Sequence, residues 1–358
     1  MAEIAEKGLT VYRYSWYSIG DRNINVNVSV HVYQNIHLFT RIFHLSSRER
    51  GRKLKAFIQQ RADPYILKKD GWYYFTASVP EFDRVVLRKA RSLMELPDAA
   101  EKVIWVHHAE GPMSCNIWAP EIHFVDGKWM IYFAAARAGA DEKGCYDHRI
   151  YALENDNADP MEGEFHEKGC VDTGWESFSL DATTVVFEGR RFFIWAQRDA
   201  DIPGNSNLYI AEMKNAMELR LPAVRLSVPE YPWECQGFLV NEGPSCLIHQ
   251  GNLFLTYSAS ATDERYAMGL LRLPAGADPL NAAAWRKSSV PVMVTEAKNG
   301  LYGPGHNSFT VDEDGADLLV FHARPYPGFH GTALSDPNRH CFLRKVRYTE
   351  AGEPVFQA

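Results

Sequence analysis

Four polar residues stand at matched places in this 358-residue chain. Asp63 precedes Gly71 by the same interval as Asp181 precedes Gly189, and Glu242 precedes Gly251 by the same interval as His306 precedes Gly315, one position longer. A fifth segment carries Ala119 at the equivalent place before Gly127, with Glu121 just after it. Two Asp and one Glu gathered in one pocket would do acid/base work, because like charges raise one another's pKa and let one carboxyl keep a proton while another stays ionised. Glycoside hydrolysis needs that pairing: an acid to protonate the leaving oxygen, and a base or nucleophile on the other face. A single Asp heading a strand is ordinarily a turn residue. Three acids at corresponding positions of a repeat are a different observation.

The elements that would position them follow from the same repeat. Residues 63–75, 119–133, 179–196, 242–257 and 306–321 each run from a polar or small head through a short strand and a turn closing on Gly to an aromatic strand. The turn glycines Gly71, Gly127, Gly189, Gly251 and Gly315 recur at nearly equal intervals. Glycine suits them because tight hairpin turns demand positive φ. Five such units predict an all-β fold, a five-bladed β-propeller over residues 56–358. The first strand of each blade lines the central channel, so the heads meet at one mouth. Residues 341–348 and 354–356 read as outer strands of the fifth blade.

Residues 1–55 are an N-terminal extension. Residues 24–33 alternate like a strand with one buried face, and a polar, basic run at 46–53 reads as a linker. A strand there is available for exchange with a second copy of the chain, giving a homo-oligomer. The net charge of −7 offers no basic stripe for nucleic acid. No run approaches the length of an apolar transmembrane helix. The six cysteines include no C-x-x-C pair. His107, His108 and Glu110 lack the spacing of a zinc protease and read as loop. The N-terminus lacks a basic and apolar leader, so a cytoplasmic protein is expected.

The motifs Arg61-Ala62-Asp63-Pro64-Tyr65-Ile66, Trp118-Ala119-Pro120-Glu121, Ser179-Leu180-Asp181-Ala182-Thr183, Asn241-Glu242-Gly243-Pro244 and Gly303-Pro304-Gly305-His306-Asn307-Ser308 together resemble glycoside hydrolase family 43. The resemblance covers roughly residues 56–340. It implies a five-bladed propeller whose members invert the anomeric carbon and act on arabinose- and xylose-containing glycans. On this resemblance Asp63 matches the general base, Glu242 the general acid, and Asp181 the carboxylate that orients and tunes the acid. Inversion implies a base and acid about 6.5–9.5 Å apart. Arg324 matches an arginine that contacts a sugar hydroxyl. Trp118 resembles an aromatic wall of the terminal sugar site, and Phe82 is a second candidate for that wall. His306 matches a histidine that holds a structural metal on the axis, taken as Ca2+; calcium prefers about six to eight oxygen ligands, so water would complete its shell.

The implied activity is exo-acting release of terminal α-L-arabinofuranosyl or β-D-xylosyl residues from hemicellulose oligosaccharides, with no organic cofactor. An endo-arabinanase is the alternative within the family. A non-catalytic sugar-binding propeller is the alternative outside it, and the three filled acid positions count against that. A glycoside phosphorylase would need a cationic cluster for phosphate.

Overall fold

The computed structural model describes residues 54–139 and 147–357. The expected extension strand and linker lie outside those residues. Five antiparallel sheets follow one another along the chain, and each repeats the same meander. Blade I holds β1 (Ala62–Lys69), β2 (Trp72–Ser78), β3 (Arg84–Ala90) and β4 (Lys102–Val106). Blade II holds β5 (Cys115–Val125), β6 (Lys128–Ala136), β7 (Arg149–Asn155) and β8 (His166–Cys170). Blade III holds β9 (Ser179–Phe187), β10 (Arg190–Gln197), β11 (Asn207–Met213) and β12 (Leu219–Ser227). Blade IV holds β13 (Asn241–His249), β14 (Asn252–Ala259), β15 (Ala267–Leu273) and β16 (Arg286–Lys287). Blade V holds β17 (Tyr302–Val311), β18 (Asp317–Arg324) and β19 (His340–Lys345). The innermost strands touch in ring order, β1 on β5, β5 on β9, β9 on β13, β13 on β17 and β17 back on β1. The fold is the five-bladed propeller that the glycine repeat predicts.

Blade V departs from the expectation at its outer edge. The segments β20 (Arg347–Tyr348) and β21 (Pro354–Val355) pair only with each other. The edge of β19 is instead taken by the start of the described chain: Phe57 N–H donates to Cys341 O at 2.8 Å, and Cys341 N–H donates to Ile58 O at 2.8 Å. The ring is therefore closed by joining the two ends of the propeller, which leaves fewer open ladder groups at that edge.

The turn chemistry explains the hairpins. In blades I to IV two residues at positive φ link the first two strands, as in Asp70 (φ 51) and Gly71 (φ 74). That geometry matches the right-handed strand twist. The second strands bury the large aromatics: Phe75, Trp129, Trp195, Phe254 and Phe321 are each 2% exposed or less. Burying one such side chain contributes about 1.5–3 kcal/mol, so the blades are held face to face mainly by these rings. Among the described residues no helix is long and apolar enough to cross a membrane.

Candidate active site

Every innermost strand is broken near its head by a bulge. At each bulge one residue is left-handed: Asp63 (φ 51), Ala119 (φ 47), Asp181 (φ 55), Gly243 (φ 56) and His306 (φ 41). Four of these five are not glycine, and each such residue costs on the order of 1–3 kcal/mol. Bulges re-aim side chains, and these turn the strand heads onto the axis. Blade IV is the exception that sets up the chemistry. Its bulge residue is Gly243, and the acid Glu242 stands immediately upstream. A Cβ at position 243 would lie 3.1 Å from the His306 ring, so glycine also makes room there.

Asp63, Asp181, Glu242, His306 and Trp118 line one cavity of about 380 Å3, within the range usual for small-ligand sites. His306 stands between two of the acids, with Nδ1 3.4 Å from Asp63 Oδ1 and 3.8 Å from Asp181 Oδ2. Ser78 Oγ donates to Asp63 Oδ2 at 2.5 Å and accepts from Ala119 N–H at 2.8 Å, tying blade I to blade II. Gly243 N–H donates to Asp181 Oδ2 at 3.1 Å, tying blade III to blade IV. Tyr266 Oη donates to Glu242 Oε1 at 2.9 Å.

The three acids are protonated unequally. Burial pushes the Asp63 carboxyl up, but Arg339, His306 and His322 outweigh it and hold the group well below the usual carboxylate range. The full charge among these is the guanidinium of Arg339, whose Nη1 is 3.2 Å from Asp63 Oδ1. His322 is neutral: burial pushes it down to about 3, and its Nδ1 accepts the Asp63 backbone N–H at 3.1 Å. Burial, assisted by the Asp63 charge and opposed by the Tyr266 hydrogen bond, raises Glu242 to about 7. Asp181 is also raised, by burial first and then by Glu242 and Asp63. At mildly acidic pH the cavity thus holds an ionised Asp63 facing a Glu242 that keeps its proton.

The aromatic and cationic residues expected at the site separate. Trp118 lines the cavity and stacks on His148 at 4.0 Å. Phe82 does not line it; it stands edge-on to Trp118 at 6.1 Å and backs that wall. Arg324 does not line it either. It is 3% exposed, and its guanidinium donates to Thr262 O at 2.6 Å and Ala333 O at 2.9 Å. Those two residues line the cavity, so Arg324 props its wall from behind. Arg339, just before β19, lines the cavity instead, as does Arg198 of blade III. No motif marked Arg339. Tyr266 did leave a trace in the sequence: a Cβ on Gly305 would meet its ring at 2.4 Å, and a glycine inside a strand signals such a close approach. His107 and His108 are satisfied locally, by Ser114 O at 2.7 Å and Glu167 Oε1 at 2.8 Å.

The residues around His306 offer few metal donors. Beside it Asn307 is buried, with neither amide atom partnered. Nearby on the axis, Glu121 Oε2 is engaged by His123 Nε2 at 2.9 Å. Among the described residues no three His, Cys, Asp or Glu side chains converge as metal ligands. This set fits only an ion held largely by water, since calcium needs about six to eight oxygens.

Comparison with known proteins agrees with this geometry. The model of the glycosyl hydrolases family 43 matches residues 55–354. An extracellular exo-α-(1→5)-L-arabinofuranosidase of Streptomyces avermitilis is 50% identical over 300 residues, which is 83% of this chain and 62% of that protein. The corresponding enzyme of Streptomyces chartreusis is 50% identical over 75% of this chain and 81% of its own length. The crystal structure of an α-L-arabinofuranosidase from Lactobacillus brevis superposes with a TM-score of 0.83 at 47% identity, covering 86% of this chain and 97% of that one. The chain spans about three fifths of the length of the Streptomyces avermitilis protein and of a Humicola insolens relative. The two Streptomyces relatives are named as extracellular enzymes, which overturns the expectation of a cytoplasmic protein. With a five-bladed ring, three acids at its mouth and a family match across the whole propeller, this chain belongs to family 43 of the glycosyl hydrolases.

Proposed function

We propose that this chain is an exo-acting, inverting α-L-arabinofuranosidase that releases terminal arabinofuranosyl residues from arabino-oligosaccharides. The observation that carries the reading is the unequal protonation of Asp63 and Glu242 in one buried cavity. Asp63 accepts a proton from the attacking water. Glu242 donates its proton to the departing oxygen, and its value of about 7 keeps that proton in place at mildly acidic pH. Asp181, itself raised by burial and by Glu242 and Asp63, fixes the Gly243 backbone beside Glu242. Trp118 supplies an apolar wall, and Arg339 holds Asp63 ionised. A calcium ion on the axis would be held by His306 and Asn307 with water, and would supply positive charge beside Asp63 and Asp181. No step requires it. The names of the relatives support arabinofuranose as the released sugar.

Nitrophenyl α-L-arabinofuranoside, nitrophenyl β-D-xyloside and α-1,5-linked arabinotriose, assayed in parallel, test this reading. Arabinose release from the non-reducing end, with the anomer inverted by NMR, is the expected result. The Asp63→Asn variant should lose about 10²–10⁴-fold in kcat/KM. Retention of configuration, or unchanged turnover by Asp63→Asn, refutes the proposal.

A further inference from the structure

The acid Glu242 stands where its strand is interrupted. Between Glu242 and Ser245 the pairing of β13 with β14 shifts register. Gly243 is left-handed there, at φ 56, and Pro244 has no N–H to give to a ladder. Downstream of the acid the backbone is held through the Gly243 N–H, on Asp181. Upstream it is held by Asn241, which is engaged at every polar atom it has. The Asn241 N–H donates to Ser206 O at 3.0 Å, and its carbonyl accepts from Ser206 Oγ at 3.2 Å. Its amide oxygen accepts from Ser227 Oγ at 2.7 Å, and its amide nitrogen donates to Glu234 Oε1 at 3.0 Å. Ser206 precedes β11 and Ser227 ends β12, so both tie the acid's strand to blade III.

Glu234 is the unexpected member of this group. It is a carboxylate with 0% exposure, at the end of a single 3-10 turn, Pro232–Glu234, between β12 and β13. It accepts five hydrogen bonds: from the N–H groups of Glu230 at 3.0 Å and Tyr231 at 2.9 Å, from Tyr257 Oη at 2.8 Å, from Lys287 Nζ at 2.9 Å, and from Asn241. Burial pushes its carboxyl up, but the two N–H groups and Lys287 outweigh burial and hold it below the usual glutamate range. A buried ion pair is often no more stabilising than apolar packing of the same volume. A carboxylate, however, only accepts hydrogen bonds. It therefore turns the amide nitrogen of Asn241 toward itself and the amide oxygen toward Ser227. The ion pair fixes one orientation of the residue next to the acid. Neither Glu234 nor Asn241 lines the cavity, so any effect on the reaction passes through Glu242.

We propose that Glu234 and Asn241 are positioning residues for the general acid: Glu234, paired with Lys287, orients Asn241, and Asn241 holds Glu242 where its proton reaches the leaving oxygen. This rests on the reading of the cavity as a glycosidase site with Glu242 as its acid. Misplacing a reacting group by about 1 Å can cost about 10²-fold in rate, so this buried hub bears on turnover as well as on stability.

The test compares methyl α-L-arabinofuranoside with dinitrophenyl α-L-arabinofuranoside. The methoxide needs the acid's proton to leave, whereas the dinitrophenolate departs without one. In Asn241→Ala the ratio of kcat/KM for the first over the second is expected to fall about tenfold, through kcat. That variant leaves Glu234 its other donors, and its melting temperature is read alongside. Glu234→Gln strips Lys287 of its counter-charge and costs stability, yet it should lower the same ratio; added to Asn241→Ala it should lower the ratio no further, because the two act in one chain. A loss of fold alone would reduce turnover of both substrates alike. An unchanged ratio in Asn241→Ala, or an equal fall on both substrates, overturns the positioning role and leaves the hydrolase reading intact. Glu242→Ala sets the scale and should lower the ratio more than Asn241→Ala does. If Glu242→Ala instead lowers both substrates equally, Glu242 is not the acid and the reading beneath the proposal falls with it.

Discussion

Removing one hydroxyl, that of Tyr266, should move the alkaline limb of the pH profile without touching the acidic one. Tyr266 Oη donates to Glu242 Oε1 at 2.9 Å, and that bond favours the ionised form of Glu242. Burial and the Asp63 charge act the other way and leave the group at about 7. A hydrogen bond to a charged group is worth about 1.5–3 kcal/mol net, and about 1.4 kcal/mol corresponds to one pH unit. The cavity lets water replace part of the lost bond, so the low end applies. Tyr266→Phe should therefore raise the Glu242 value by about one pH unit. Glu242 must be protonated to act, so the alkaline limb of kcat/KM moves upward by that amount. Asp181 shares the titration, so the limb belongs to the pair. The acidic limb reports Asp63, which Arg339 holds down and Tyr266 does not touch. Initial rates on nitrophenyl α-L-arabinofuranoside across about pH 4 to 9 read the alkaline limb, and the acidic limb lies below that range. The melting temperature controls for the loss of packing against His322, whose ring lies parallel to that of Tyr266 at 5.8 Å. An alkaline limb that stays put or moves down, with folding unchanged, refutes the idea that Tyr266 sets the acid.

Glu242→Gln should abolish most activity on arabino-oligosaccharides yet raise thermal stability, by an amount that grows with pH. The raised value means the folded state prefers the neutral carboxyl: its contribution is whole below the unfolded value of 4.5 and is lost as pH rises through about 7, whereas glutamine does not titrate. The gain above neutral pH is on the order of 2–3 kcal/mol, readable as melting temperatures at pH 5 and pH 8. The two arginines of blade V should separate by assay. Arg339→Met removes the charge that holds Asp63 down and shifts the acidic limb upward, whereas Arg324→Met strips the bonds to Thr262 and Ala333 and costs about 3 kcal/mol of stability while both limbs stay. An acidic limb that stays put in Arg339→Met, or moves in Arg324→Met, would contradict this division.

The repeat alone determined the number of blades, the place of each hairpin and the convergence of Asp63, Asp181 and His306 on the axis. That was legible because turn geometry is local: a glycine at positive φ is needed every time the chain reverses, and the residue one strand's length before it has little freedom to be elsewhere. Residue counting ranked Glu242 with His306, at the same interval before the turn glycine. The backbone shows different reasons for that interval: Glu242 stands just before the bulge at Gly243, while His306 is the bulge itself in a blade with a longer turn. Only tertiary structure decided that Arg339 lines the cavity while Arg324 stands behind its wall, and what sets each proton. Arg324 and Arg339 are alike in sequence, and a guanidinium's role depends on whether the acceptors it reaches through space are the carbonyls of a wall or the carboxylate of Asp63. The same holds for Tyr266, whose partners Glu242 and His322 come from another strand and another blade. Strand periodicity speaks for one chain segment at a time, whereas pKa and substrate contact are set by the charges and surfaces that folding brings alongside.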